Sequence, residues 1–220
     1  MPTLSELVSS HDVALQLPLK FDPARLMADL DRMLQAWWHV HRGPYHDGNW
    51  EGIALWAPNG DRAEQSSKGG AFAATEALRL CNYVPEVMNA FPGRKNRVRF
   101  LKLRAGGHIF AHSDPLHQID TGIVRIHIPV RTNPSVDFTV HGKRIVMQAG
   151  NSWYVDVRFR HSVYNPGTED RVHLVIDVVP NSELSELFAQ AASSGKGMLT
   201  GYFLKHSLPR SLVRRLGLAN

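Results

Sequence analysis

The sequence predicts a mainly β fold, a sandwich or barrel in the second half of the chain with helices before and after it. Three observations carry this. Short apolar runs recur from Arg97 onward, at 97–104, 108–112, 123–130, 136–140, 144–147, 152–156, 161–164 and 171–179. Turn formers separate them, among them Ala105-Gly106-Gly107, His141-Gly142 and Asn165-Pro166-Gly167. The runs at 123–130 and 171–179 also alternate between apolar and polar residues, the period of a strand with two different faces. About eight short strands at this spacing belong to a sandwich or barrel and not to a parallel α/β sheet.

From the N-terminus, Val13 to Lys20 alternates through Val13, Leu15, Leu17 and Leu19 and reads as a strand. Asp22 and Pro23 are the N-cap and first position of a helix. Leu26, Leu30, Met33, Leu34 and Trp37 follow at helical spacing, so this helix is expected to lay one face on the core. The stretch from Gly43 to Gly48 is a loop and Trp50 to Trp56 a strand. Asp61 to Gly70 is polar, glycine-rich and aperiodic, and is expected to be mobile. After the barrel, Ser182 to Ala192 reads as helix. The last stretch sets Lys205, His206, Arg210, Arg214 and Arg215 around Leu208, Leu212 and Leu216, a solvated helical face or, alternatively, a binding arm. The expectation is one domain over 1–220: a barrel core at about 95–180, strand and helix support at 13–92, and a helical tail at 181–220.

Composition narrows the function classes. With 43% apolar and 20% charged residues the chain is an ordinary globular protein and not a disordered one. Its net charge of +5 and pI near 9.6 are a mild basic excess that does not choose between nucleic acid, lipid and an anionic small substrate. A single cysteine, Cys81, excludes an intrachain disulfide framework and any multi-cysteine metal site, and suits a reducing compartment. The N-terminus has no basic region leading into an apolar run, and no stretch reaches the roughly 18 apolar residues of a membrane span. A cytoplasmic protein with no membrane partner is expected.

Twelve histidines remain to be explained. His112-Ser113-Asp114 stands just after a strand, where residues two apart project to one side, so an imidazole and a carboxylate there can grip one metal ion from one direction. The spacing alone is a weak signal in so histidine-rich a chain. His161, at the start of another strand, is the best third ligand. Two histidines and one carboxylate on one face leave other positions open, the arrangement of non-haem Fe(II) oxygenases.

A second pattern strengthens the first. In the strand from Arg171, residues Val172, Leu174 and Ile176 face one way and Arg171, His173 and Asp177 the other. The strand from Ile123 sets Val124, Ile126 and Ile128 against Arg125 and His127. Solvated sheet faces usually carry Thr, Lys, Glu and Ser, so paired Arg and His point to a polar pocket inside a barrel. A buried arginine needs an anionic partner, and a guanidinium suits a carboxylate. That partner is a ligand or a structural acid such as Asp177 or Asp156. The ligand is the stronger reading for Arg171, while the two stand even for Arg125.

The run from Arg97 to Pro180 resembles the aspartyl/asparaginyl/prolyl hydroxylase family of Fe(II)/2-oxoglutarate-dependent oxygenases. The resemblance lies in Leu103-Arg104-Ala105-Gly106-Gly107-His108-Ile109-Phe110-Ala111-His112-Ser113-Asp114 and Val124-Arg125-Ile126-His127-Ile128-Pro129-Val130. It continues through Gly150, Asp156, Phe159, His161, Asn165 and Arg171-Val172-His173-Leu174-Val175-Ile176-Asp177-Val178, and more weakly in Trp50-Glu51-Gly52-Ile53-Ala54-Leu55. It implies a double-stranded β-helix, a jelly-roll or cupin-like barrel, with iron on His112, Asp114 and His161. It further implies that Arg171 meets the distal carboxylate of 2-oxoglutarate and that Arg125 and His127 line the cosubstrate or substrate pocket. The implied reaction consumes O₂, converts 2-oxoglutarate to succinate and CO₂, and hydroxylates a substrate. Animal members acting on aspartyl and asparaginyl residues have Gly at the carboxylate position. Asp114 is kept here, as in bacterial proline hydroxylases.

These features favour a free or N-substituted amino acid as substrate, with Arg125 holding its carboxylate. The alternatives are Asp, Asn or Pro residues in a peptide or protein, and a non-redox cupin-like metal-binding barrel that would not require Arg171. Nucleic acid is not expected, since the positive charges do not cluster with stacking aromatics in the barrel strands. His39, His41 and His46 fit no zinc spacing and read as ordinary surface or, alternatively, as a loop lining the pocket mouth, Cys81 as a small buried hydrophobe, and the loop 115–120 as a cover for the substrate.

Overall fold

Asp22 starts the first helix as expected. In a computed structural model its side chain accepts from the backbone N–H of Ala24 and Arg25 and caps α1 (Pro23–Leu30), which follows β1 (Ala14–Lys20). The structure describes residues 13–64, 69–114, 123–179, 181–193 and 197–198. The expected covering loop at 115–120, residues 65–68 of the segment expected to be mobile, and the basic stretch from Lys205 lie outside them. After α1 come β2 (His39–Val40), β3 (Trp50–Pro58), β4 (Phe72–Ala74), α2 (Glu76–Arg79), α3 (Val84–Asn89) and β5 (Arg94–Leu103). Then follow β6 (His108–His112), β7 (Val124–Arg131), β8 (Asp137–Val140), β9 (Lys143–Arg144), β10 (Asn151–Val155), β11 (His161–Tyr164) and β12 (Arg171–Val179). Helix α4 (Ser182–Ser193) and β13 (Gly197–Met198) complete the described chain.

The strands form two sheets, every pairing antiparallel. Among the described residues the larger runs β13-β1-β10-β7-β12-β5-β3-β2 with β4 on β3, and the smaller runs β6-β11-β8-β9. Strand β12 lies between β7 and β5, so each backbone polar group along its middle has a partner in the ladder.

The period-two patterns divide the core in two. On the outer face of the large sheet Val98, Phe100, Ile126, Ile128, Leu174 and Ile176 share a cluster with Leu26, Val87 and Phe188 from the helices and with Phe91 just after α3. Between the sheets, Leu103, Ile109, Phe138, Val140, Val157 and Val163 make a second cluster. The polar faces of β5, β7 and β12 point into this inter-sheet space. The barrel predicted from the strand pattern is therefore present, with its helices on the far side of the large sheet.

Two sequence expectations change. Helix α1 ends at Leu30, not near Trp37, and Leu34 is exposed. A three-residue 3₁₀ turn at Gln35–Trp37 brings Trp37 to the core instead, so the apolar spacing survives although the helix does not. The anticipated strand at 144–147 shrinks to Lys143–Arg144, although Ile145 N–H still donates to Phe138 O at 2.8 Å. Buried Asp29 fixes the helical layer. It accepts from the backbone N–H groups of Asn82, Tyr83 and Val84 at 2.7–2.8 Å and pairs with Arg32. Cys81 is buried, and its thiol reaches Ala77 O at 3.5 Å. Among the described residues no helix is long and apolar enough to cross a membrane.

Candidate metal centre

Strands β6 and β11 pair antiparallel with His112 opposite His161. That register sets the two imidazoles 4.3 Å apart between centroids. The side-chain Nδ1 of His112 is 2.7 Å from Phe110 O, and that of His161 is 3.0 Å from Phe159 O. A carbonyl accepts only, so each Nδ1 carries the proton and each Nε2 keeps its lone pair for a ligand. Asp114 follows β6 directly, tied by its N–H to Val157 O at 2.9 Å. One donor atom from each of His112, Asp114 and His161 lies within 4.8 Å of the others. Burial, aided by His112 and Arg125, lowers His161 to about 4, so its imidazole is neutral at neutral pH, as a metal ligand must be. Two imidazoles and a carboxylate on one side form a donor set suited to a divalent first-row metal with open positions.

The six residues singled out in the sequence, His112, Asp114, His161, Arg125, His127 and Arg171, line one cleft of about 420 Å³ between the sheets. Leu101, Phe138, Val157 and Val163 supply apolar walls. Among the polar groups lining the cleft, Trp50, His127 and Arg171 keep buried nitrogens without a partner among the described residues. His127 is 7% exposed, and among the described residues neither ring nitrogen has a hydrogen-bond partner. Arg171 is 3% exposed. Its Nη2 meets His173 Nδ1 at 2.9 Å, its Nε has no partner, and among the described residues it makes no ion pair. Burial alone lowers it to about 9, since no acid compensates. An uncompensated cation facing a cavity suits an anionic ligand.

Arg125 is placed differently. Register aligns Arg97, Asp177 and Arg125 side by side on β5, β12 and β7. Arg125 Nε and Nη2 donate to Asp177 at 2.8 and 3.2 Å, and Nη1 donates to Asp114 Oδ2 at 2.7 Å. Arg97 reaches Asp177 at 2.7 Å and Arg99 at 3.4 Å. Burial alone would raise Asp177, but Arg125, Arg97 and Arg99 outweigh it and hold the carboxyl well below the usual range. The expectation that Arg125 has a charge to spare for a substrate carboxylate is corrected: the salt-bridge alternative applies, and two acids already occupy its donors.

Sequence reasoning passed over Arg97 and Arg99, which share the inward face of β5 with Leu101, a period-two signal visible in the sequence. For the histidines at 41 and 46 the structure favours the loop alternative over ordinary surface, since they belong to a loop packed on the ligand strand. Phe110 N–H donates to Tyr45 O at 2.7 Å, and the Tyr45 ring stacks on His112 at 4.8 Å. His41 stacks on Trp50 at 3.7 Å, and burial, with Arg99 and Arg125 nearby, lowers its imidazole to about 3.

Burial also holds His127 and His173 well below the ordinary histidine range, with Arg171 adding to it. The unfolded chain takes up protons on these residues below pH 6.5 while the folded one does not, so acid favours unfolding. The metal-free protein is expected to lose about 1 kcal/mol for each of them between pH 7 and pH 5.5. Urea midpoints at the two pH values check this; equal midpoints would show the histidines protonated in the fold.

Comparisons with known proteins identify the family and the fold. The family described as Aspartyl/Asparaginyl beta-hydroxylase matches residues 22–180. The L-proline cis-4-hydroxylase of Rhizobium meliloti (strain 1021) is 28% identical over 163 residues, 72% of this chain and 58% of that protein, so the chain spans under two thirds of that relative. Among solved structures, the non-heme alpha ketoglutarate dependent carbocyclase SnoK from nogalamycin biosynthesis shares the fold, with a TM-score of 0.52 and 10% identity over 76% of this chain and 79% of that one. An oxidoreductase of the 2OG-Fe(II) oxygenase family from Burkholderia pseudomallei gives 0.49 and 16% over 72% and 79%. With the family match running through the helical layer, both sheets and the cleft, the chain belongs to the aspartyl/asparaginyl β-hydroxylase family.

Proposed function

We propose that the chain is an Fe(II)- and 2-oxoglutarate-dependent hydroxylase of a free or N-substituted amino acid. One observation carries the reading: three candidate iron ligands and a buried, uncompensated Arg171 share one cleft. A bare metal-binding barrel explains the three ligands but gives no reason to bury that cation. Iron held by His112, Asp114 and His161 supplies the redox chemistry that couples conversion of 2-oxoglutarate and O₂ to succinate and CO₂ with hydroxylation of a C–H bond.

The chain's own residues bind, orient and exclude water. The carbonyls of Phe110 and Phe159 fix both ligand tautomers. Arg171 offers Nε and its remaining donors to the distal carboxylate of 2-oxoglutarate, while His173 Nδ1 steadies Nη2. His127, with two unpartnered nitrogens, adds a neutral hydrogen bond. Leu101, Phe138 and Val157 keep the cleft dry, which strengthens each polar contact.

The relative named for L-proline supports a small amino acid as substrate. With Arg125 committed to Asp177 and Asp114, the amino acid's carboxylate is drawn by the cationic lining as a whole and not by one spare guanidinium. The experiment is succinate release with Fe(II), 2-oxoglutarate and a panel of free amino acids, their amides and short peptides. A free amino acid should stimulate release and its amide should not. Asp114→Ala and His161→Ala should each abolish the stimulation. Equal response to the amide, or turnover only with peptide, would refute the substrate class, and full activity in Asp114→Ala would refute the ligand set.

A further inference from the structure

We propose that Arg125 and Asp177 are positioning residues that make Asp114 a one-oxygen ligand. This rests on the metal reading of His112, Asp114 and His161. Asp114 Oδ2 accepts Arg125 Nη1 at 2.7 Å, whereas Oδ1 is the oxygen turned toward His112 Nε2, 3.7 Å away. A carboxylate that chelates a metal turns both oxygens toward it. Here the guanidinium draws Oδ2 to the side, and Oδ1 faces the imidazoles.

The constraint has to come from outside the ligand itself. Asp114 lies past the end of β6, and its side chain is 27% exposed. Arg125 is fixed twice over. Asp177 takes its Nε on Oδ1 and its Nη2 on Oδ2, and Asp177 is fully buried in the middle of the large sheet. Arg97 holds the same carboxylate from the other neighbouring strand. The chain of contact therefore runs from the middle of the large sheet, through one planar guanidinium, to the carboxylate of the ligand. Lysine could not replace it, because a single point donor cannot hold two carboxylates in fixed orientation.

The consequence concerns coordination positions. Two imidazoles and one carboxylate oxygen leave three places on a six-coordinate metal, enough for a two-atom cosubstrate and a further small ligand. A chelating carboxylate would take one of them. The guanidinium also withdraws charge from the carboxylate, which tunes the metal from its outer surroundings.

The test uses Co(II) added to the whole chain without cosubstrate. Its visible absorption reports coordination number, and titration gives its affinity. Arg125→Lys should fold, judged by circular dichroism, should bind Co(II) about 10–100-fold more weakly, and should show altered band intensities. Wild-type affinity and an unchanged spectrum in Arg125→Lys, with binding lost in Asp114→Ala, would overturn the positioning role alone. Co(II) binding retained in Asp114→Ala would overturn the ligand set and this proposal with it. Should Arg125→Lys not fold, the Co(II)-loaded wild-type crystal structure decides. One Asp114 oxygen on the metal and the other on Arg125 supports the proposal; both oxygens on the metal overturns it.

Discussion

Arg171→Met raises the 2-oxoglutarate concentration needed for half-maximal succinate release by a factor of about 30 to several thousand, equivalent to about 2–5 kcal/mol, the usual effect of truncating one partner of a buried charge pair. The affinity for Co(II) stays where it is, because Arg171 touches none of the three ligands in the hydrogen-bond and ion-pair network. The same substitution should make the ligand-free protein more stable. Arg171 is a cation kept dry without an acid, and burial has already lowered it to about 9; an apolar chain of similar length removes that cost. A stabilised protein that no longer responds to 2-oxoglutarate is the signature of a residue kept for binding. An unchanged requirement together with lost stability would make Arg171 a structural residue.

Asp177→Asn is expected to act the other way, through the fold. The substitution keeps the shape and removes the charge that Arg97, Arg99 and Arg125 surround. Breaking a buried ion network by deleting one partner costs about 3–5 kcal/mol. For a chain of this size that lowers the thermal midpoint by about 10 °C. Melting curves of the metal-free wild type and variant, followed by circular dichroism, measure it. A midpoint within about a degree of wild type would mean that the arginines find other partners.

How much of this was legible in the sequence depended on whether a position is set by local pattern or by docking. The strands β7 and β12 announce both faces in their alternation, so Arg125, His127, Arg171 and Asp177 could be placed on one surface from residues alone. Arg97 and Arg99 carried the same signal and were overlooked because their strand reads as merely charged at its start. What alternation does not state is the lateral register. Only that register puts Asp177 between Arg97 and Arg125, and it decides that Arg125 serves a neighbouring acid while Arg171 does not. The stacking of Tyr45 on His112 was out of reach, since it depends on where an irregular loop lies against a strand distant in sequence. The early end of α1 was hidden because Trp37 reaches the core through a 3₁₀ turn that preserves helical spacing.

Cys81, a buried thiol bonded to a helix carbonyl, is also set apart from the chemistry proposed for the cleft. Burial, with Asp29 nearby, pushes the thiol up to about 12. At neutral pH only about one molecule in a hundred thousand then carries the thiolate, the form that oxidants and disulfide exchange attack. In this protein the single sulfhydryl lies in the helical layer, on the far side of the large sheet from the candidate iron ligands. The folded protein is therefore expected to react with peroxide at Cys81 far more slowly than the unfolded chain, which thiol counting after exposure with and without denaturant would measure.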